Sequence, residues 1–557
     1  MKTRFVPATL AVAILTFSLI AVASAEDLPR RTALDDYIQK PDDSFSWEVV
    51  SSEEGDGVKT VVIDMVSQRW LTEAEVNQPE WRHWLTLTIP EQVTSDVGML
   101  YIGGGRNNEG KPRSNEQTDA IAKATGTVVA QLGLVPNQPL IFHNDGVERV
   151  EDDLIGYTWD QYLKTGDPKW PARNAMVKSA VRAMDTMTAY MASDDGGNQT
   201  VDQFVVAGGS KRGWTTWLTG AVDERVVGII PIVIDVVNAD VSMKHHFSVY
   251  GFWAPSVGNY VHHKIMERID DPMLIELYKL VDPYAYRHRL TMPKLVLNAA
   301  GDQFFLPDSS RFYWDDLRGE NYLRYVPNGD HGLGKTDAVE TIVAFHTLIA
   351  HGKKPPQYLW TTDDDGTIRV MTKDKPVEVR LWQASNTEAR DFRVETLGRE
   401  YTSTVIEPNE DGLYIAKAPN PDKGWTAYFI ELTYDVGAAT PLKLTTQVKV
   451  TPDTVPFEGK PSHLPTSVTL VCTAPSQQEA GKIAEEAKTL VKNQKFSANG
   501  LASHVQGDRL YLNWIPVGDF EIGAKIITGY LDKQKCKDFA YQLESGPEIT
   551  LPPVLAD

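Results

Sequence analysis

The stretch Gln203-Phe204-Val205-Val206-Ala207-Gly208-Gly209-Ser210-Lys211-Arg212-Gly213-Trp214 decides how this chain is read. An apolar run suited to a buried strand ends in small residues, presents one serine, and passes directly into a helical pattern. A serine on so sharp a strand-to-helix turn has its hydroxyl lifted clear of the backbone. It also stands at a helix N-terminus, where free N–H groups and the helix dipole favour developing negative charge. Nucleophiles of acyl transfer occupy such positions. In the usual G-x-S-x-G elbow a small residue sits two positions before the serine and another two positions after it. Here Gly208 fills the first place, Arg212 holds the second, and the glycine comes one later at Gly213. A glycine-rich turn joining any strand to any helix would share this local pattern, so the rest of the chain must decide.

With 557 residues the chain exceeds one ordinary domain. Apolar residues make up 42% and charged residues 23%, as in globular proteins. The net charge of −20 argues against nucleic acid or an anionic membrane surface as a partner. Residues 1–25 read as a secretory signal peptide: Lys2 and Arg4, an apolar run from Leu10 to Val22, then Ala23-Ser24-Ala25. That run is shorter than the ~20 apolar residues of a bilayer span, so no integral membrane segment is expected after cleavage. The expected location is periplasmic or extracellular. Cys472 and Cys536 could form a disulfide there, or remain two buried thiols. No set of Cys or His has zinc-ligand spacing, and no metal is expected.

From about Val97 to Gly352 the pattern alternates strand and helix. Strands are expected at Gly98–Ile102, Pro139–Phe142, Val201–Ala207, Val226–Ile234, Lys294–Ala300 and Tyr322–Val326. Helices are expected at Ala172–Ala192, Lys211–Ala221, Pro307–Arg318 and Thr336–Ala350. Residues 26–355 thus predict an α/β domain with a doubly wound sheet. An aromatic-rich insertion at 235–290 reads either as a lid over the strand ends or as a helical excursion completing the core. Residues 360–452 predict a small β-sandwich with strands at Gly366–Met371, Val377–Trp382, Phe392–Thr396, Leu413–Ala416, Trp425–Tyr434 and Leu442–Val450. After a proline-rich linker from Pro452 to Pro465, residues 466–557 read strand-helix-strand-strand-helix-strand, the order of a ferredoxin-like α+β domain.

A serine hydroxyl needs a base to take its proton and an acid to orient that base. In α/β-hydrolases these follow in the order Ser, acid, His, at the ends of strands. Asp302 follows the strand ending at Ala300, and His331 follows the next strand within Pro327-Asn328-Gly329-Asp330-His331-Gly332. Asp302 could instead cap a following helix, and His331 could be an ordinary loop histidine. Asp235, one strand earlier, is an alternative acid. For the oxyanion hole, one N–H is expected from Lys211 and the other from the loop Gly103-Gly104-Gly105, with Gly104 and Gly105 the candidates. That loop lacks both the Gly-Lys-Ser/Thr of a phosphate-binding loop and the later glycine of a dinucleotide fingerprint, so no cofactor is expected. His245-His246 and His262-His263 could bind metal or line the substrate path, or be surface or core residues. Lys211 and Arg212 could meet an acidic substrate or pair with acids on neighbouring helices. Trp214 and Trp217 read as core.

From about residue 30 to 450 the chain resembles the PhoPQ-activated pathogenicity-related protein family, a branch of the α/β-hydrolase superfamily. The resemblance rests on Tyr101-Ile102-Gly103-Gly104-Gly105, Gly208-Gly209-Ser210-Lys211-Arg212-Gly213-Trp214 and Pro231-Ile232-Val233-Ile234-Asp235. Phe312-Tyr313-Trp314-Asp315-Asp316-Leu317, Tyr325 to His331 and Leu381-Trp382-Gln383-Ala384 extend it. It makes the late glycine at Gly213 a family trait. It implies an exported serine hydrolase-like protein with a β-sandwich-like extension, and it supplies no substrate. A small-molecule ester or peptide is the expected substrate. The competing enzyme reading is a secreted aminopeptidase or dipeptidyl-peptidase-like enzyme with the same machinery and an acidic pocket for the peptide amine. A catalytically silent hydrolase fold kept for binding or signalling is the competing expectation.

Overall fold

A computed structural model describes residues 31–113, 115–458, 468–493, 502–514, 520–543 and 549–550. The expected signal peptide, most of the proline-rich linker, and the start of the strand expected at 497–505 lie outside the described residues. The largest sheet has nine strands: β1 (Ser46–Gly55), β2 (Val58–Arg69), β3 (Glu80–Pro90), β4 (Val97–Ile102), β5 (Val129–Leu132), β6 (Gln203–Gly209), β7 (Val226–Ile232), β8 (Lys294–Ala299) and β9 (Asn321–Val326). Their order is β1-β2-β3-β5-β4-β6-β7-β8-β9. The steps from β1 to β5 are antiparallel, and those from β5 to β9 are parallel. Phe204, Val205, Val206 and Ala207 are fully buried, because β6 sits mid-sheet with helices on both faces.

Two expected elements take other forms. Pro139–Phe142 is no sheet strand: Pro139 has no N–H to give, and Leu140 instead pairs with Arg149 in an isolated bridge. Pro307–Arg318 is not one helix but two short 3₁₀ turns, Ser309–Phe312 and Trp314–Asp316. Tyr313 breaks the run at φ −147° and turns its hydroxyl inward to donate to Asp235 at 2.7 Å. A buried tertiary bond overrides the local helical pattern there. The antiparallel strands β1 to β3 and the helices Glu116–Thr125 and Glu151–Thr165 carry no equivalent expectation.

Two smaller sheets follow. One pairs β10 (Tyr358–Thr362), β11 (Ile368–Thr372) and β14 (Tyr414–Ala416); the other pairs β13 (Thr402–Val405), β12 (Glu378–Asn386), β15 (Trp425–Tyr434) and β16 (Leu442–Thr445), with β17 (Lys449–Thr451) also on β15. Strand β15 is buried on both faces. Tyr428, Ile430 and Leu432 join a core shared with the three-stranded sheet, while Ala427 and Phe429 join the main hydrolase core. The single strand expected at Leu442–Val450 is therefore split between β16 and β17. Phe392–Thr396 is not a strand but contains the helical turn Val394–Leu397, because the Val394 N–H is drawn to the Gly301 carbonyl at 2.9 Å.

The last sheet has the order β19-β20-β18-β21-β22, from β18 (Val468–Thr473), β19 (Ala502–Gln506), β20 (Arg509–Trp514), β21 (Lys537–Leu543) and β22 (Ile549–Thr550). With helices Gln477–Asn493 and Phe520–Lys533, its first four strands have the ferredoxin-like arrangement. Cys472 and Cys536 are buried there as free thiols.

A buried ion pair ties the loop after β12 to the segment after β8. Arg390 donates to Asp308 at 2.8 Å, the two side chains being 1% and 3% exposed. Burial alone would raise the Asp308 carboxyl, but Arg390, His245 and Arg311 outweigh it and hold it below the usual carboxylate range. Replacing Asp308 by Ala leaves a buried guanidinium poorly compensated. The expected loss is about 3–5 kcal/mol, read as a lower urea midpoint than the unmodified protein's.

Candidate active site

Ser210 is a backbone outlier with φ +56° and ψ −124°, at the junction of β6 and the helix Lys211–Val222. Such a conformation costs on the order of 1–3 kcal/mol in a non-glycine residue and persists only where neighbours enforce it. Two glycines do so by their lack of side chains. A Cβ on Gly208 would lie 2.8 Å from the Arg212 carbonyl oxygen, and one on Gly213 would lie 2.8 Å from that of Ile232. Close packing of the helix on the strand ends therefore needs glycine at 213, not at 212. Freed from that contact, Arg212 reaches across Gly104, where a Cβ would meet its guanidinium at 2.6 Å. Arg212 forks onto Glu151 at 2.7 and 2.8 Å and donates to the Val135 carbonyl at 2.5 Å.

Glu151 is the centre of this network. Lys211 Nζ also reaches it at 2.7 Å, and Asp152 at 3.2 Å. Gln138 Nε2 bridges Glu151 at 2.6 Å and the Gly105 carbonyl at 2.8 Å. Burial opposes charge on Glu151, but Arg212 and Lys211 hold its carboxyl well below the ordinary range. The same bonds fix the loop after β4 beside the turn that carries Ser210. Gly103 N–H is committed to Leu132 O at 2.7 Å, whereas among the described residues the amides of Gly104, Gly105 and Lys211 donate to no backbone acceptor.

His331 and Asp302 are brought together. Nδ1 of His331 lies 2.8 Å from Asp302 Oδ2 and 3.0 Å from Oδ1, with Asp302 buried and the imidazole 18% exposed. Nε2 of His331 is buried and has no hydrogen-bond partner. Ser210 and His331 line one groove, and no hydrogen bond joins them. The Phe304 ring packs against the imidazole at 4.2 Å between centroids.

Asp235 sits apart from this pair. It is buried and accepts hydrogen bonds from Tyr313 and Tyr325. Burial, only partly offset by the two tyrosines, pushes its carboxyl up to about 7.

The sandwich extension grips both loops. Besides Val394 on Gly301, the Asn328 side chain exchanges two hydrogen bonds with the Tyr401 backbone, each 2.9 Å. Arg399 donates to the Asn328 carbonyl and pairs with Asp330 at 3.1 Å.

The insertion roofs a second, smaller pocket beside Ser210, contributing Val236, Met243, Tyr260 and Tyr278 among others. Trp217 is core, while Trp214 is buried and also lines that pocket. His246 is buried against Trp253, and His245 pairs with Asp308. Asp153, His262 and His263 offer ligand atoms within 4.8 Å of one another, a grouping sequence spacing does not reveal; Asp153 already bonds His263 at 2.7 Å. Arg173, Glu151 and Asp152 escape sequence reasoning altogether. The acidic run Glu151-Asp152-Asp153 opening a helix was the available signal.

The profile of the PhoPQ-activated pathogenicity-related proteins matches residues 34–393. The chain belongs to this family. A relative from Dictyostelium discoideum, autocrine proliferation repressor protein A, is 37% identical over 457 residues, spanning 76% of this chain and 92% of the relative. Among solved structures, acetyl xylan esterase 1 from Thermoanaerobacterium sp. JW/SL YS485 is 14% identical, covering 55% of this chain and 90% of its own, with TM-score 0.38. Acetyl xylan esterase from Paenibacillus sp. R4 is 15% identical, covering 54% and 86%, with TM-score 0.37. No helix among the described residues of this family member is long and apolar enough to cross a membrane.

The network around Glu151 makes a pH prediction. A depressed folded-state pKa contributes stability above the unfolded value near 4.3, and that stability is lost as pH falls. Glu151→Gln should therefore melt below the unmodified protein at pH 7 in scanning calorimetry. The difference should shrink as the pH is taken below about 4. Equal melting at pH 7 would contradict the role given to this carboxylate.

Proposed function

We propose that this protein is an exported serine hydrolase that cleaves an ester or amide through an acyl-enzyme. Ser210 Oγ attacks the carbonyl carbon while His331 Nε2 takes its proton. Asp302, hydrogen-bonded to Nδ1, fixes the tautomer and stabilises the imidazolium. The amides of Lys211 and of Gly104 or Gly105 receive the oxyanion. Collapse of the tetrahedral intermediate expels the leaving group, which takes the proton back from His331. Water, activated by the same histidine, then attacks the acyl-enzyme, releasing the acid and regenerating Ser210.

The observation that carries this reading is the state of the His331 ring. One nitrogen is held by a buried carboxylate, and the other is buried without a partner in the groove that Ser210 also lines. The missing bond to Ser210 fits an arrangement that tightens when substrate is bound. A second reading, a signalling protein with a silent hydrolase fold, draws on the name of the Dictyostelium relative.

Ester hydrolysis by purified variants separates the two. Ser210→Ala and His331→Gln should each lower kcat by ~10³-fold or more, and Asp302→Asn by up to ~10⁴-fold. Asp235→Asn should leave kcat within about threefold, since its carboxyl touches neither His331 nor the groove. Turnover unaffected by Ser210→Ala would overturn the proposal, and so would folded protein inert toward every ester offered.

A further inference from the structure

Ser210 borders two cavities, and only one of them contains His331. The larger groove is lined by both residues; the smaller pocket is lined by Ser210 and Lys211 but not by His331. On the reading above, the histidine must hand its proton to the leaving group. The leaving group therefore lies in the groove, and the acyl half enters the smaller pocket.

That pocket is apolar along most of its wall, with a few charged residues among its lining. Trp159, Trp214, Tyr260 and Tyr278 form an aromatic box, with Trp159 to Tyr260 at 5.4 Å and Trp159 to Trp214 at 5.8 Å. Arg173, Lys211 and Asp152 complete its lining. With Arg212 and Glu151, these make three cations against two carboxylates. Both carboxylates are taken: Glu151 by Arg212 and Lys211, Asp152 by Lys211. Arg173 forms no ion pair among the described residues, although it is 1% exposed. Its Nη1 donates to the Lys211 carbonyl at 2.8 Å, its Cζ lies 4.3 Å from the Trp214 ring centroid, Tyr260 and Asp152 act on its charge from nearby, and its Nε has no hydrogen-bond partner among the described residues. A desolvated cation with no carboxylate in direct contact is costly, even with the charge of Asp152 nearby, and a guanidinium fork matches a carboxylate in shape as well as charge.

We infer that Arg173 gives this pocket a preference for acyl groups ending in a carboxylate, as in the half-esters or half-amides of a short dicarboxylic acid. The inference rests on the serine-hydrolase reading for which half of the substrate is bound. It also turns against an aminopeptidase, whose substrate ammonium would need an uncommitted carboxylate at this place.

The test compares 4-nitrophenyl monoglutarate and monoadipate with the neutral pentanoate and hexanoate, after subtraction of spontaneous hydrolysis. A charge-assisted hydrogen bond makes the anionic esters better substrates by ~10-fold or more in kcat/KM. Arg173→Gln should cut that ratio by at least ~10-fold, with Arg173→Lys in between. Glutamine keeps an N–H for the Lys211 carbonyl, so the neutral-ester rate reports any structural damage separately. A wild-type preference for neutral esters, or a ratio unchanged in folded variants, overturns the inference. A wild-type enzyme inert to all four esters overturns the hydrolase reading instead. The pocket is then judged by glutarate binding to Ser210→Ala protein: a concentration-dependent rise in Tm that Arg173→Gln abolishes supports it, and no rise overturns it.

Discussion

The fork of Arg212 on Glu151 is the contact on which the site depends. The Ser210 turn is strained, and while Gly208 and Gly213 let the helix pack on the strand ends, they do not tie it to the loops around it. Arg212 ties the first turn of the helix to Glu151 and to the Val135 carbonyl, while Gln138 ties Glu151 to the Gly105 carbonyl. One carboxylate thus fixes the distance between the two backbone segments that would bind an oxyanion. Gly104 is glycine because the guanidinium lies over it. The residue that departs from the usual elbow is the one that builds the surroundings of the serine.

The second constraint comes from outside the α/β core. Asp302 and His331 sit on separate loops, after β8 and β9, and a pair 2.8 Å apart requires both loops to be held. The sandwich extension does this from one short stretch, with Val394 on Gly301, Tyr401 on Asn328 and Arg399 on Asp330. It therefore helps to hold Asp302 against His331. That gives a physical reason for the extension to accompany the hydrolase fold.

The parallel half of the main sheet was legible because strands buried on both faces are continuous apolar runs. The ferredoxin-like order of the last sheet was legible for a different reason, the switching of hydrophobic period between elements. Ser210, Asp302 and His331 could be named because each follows such a strand. What failed were segments decided by distant partners. Tyr313 broke an expected helix to reach Asp235, and Val394 left an expected strand to reach Gly301. The alternative acid, Asp235, was indistinguishable from Asp302 by position; only its two tyrosine partners separate it from the histidine. Lys211 and Arg212 had two open readings, and their pairing with Glu151 and Asp152 selects one. Arg173 could not be found at all, since a lone arginine inside a helical pattern reads as a solvated residue until burial is known.

The central claim is that Ser210 is a nucleophile activated by His331. It is tested most directly by locating a covalent fluorophosphonate adduct on the folded protein by tandem mass spectrometry. The account predicts a single adduct on the peptide carrying Ser210, formed far more slowly in His331→Ala protein. An adduct on another residue, or none on protein shown to be folded, would contradict it.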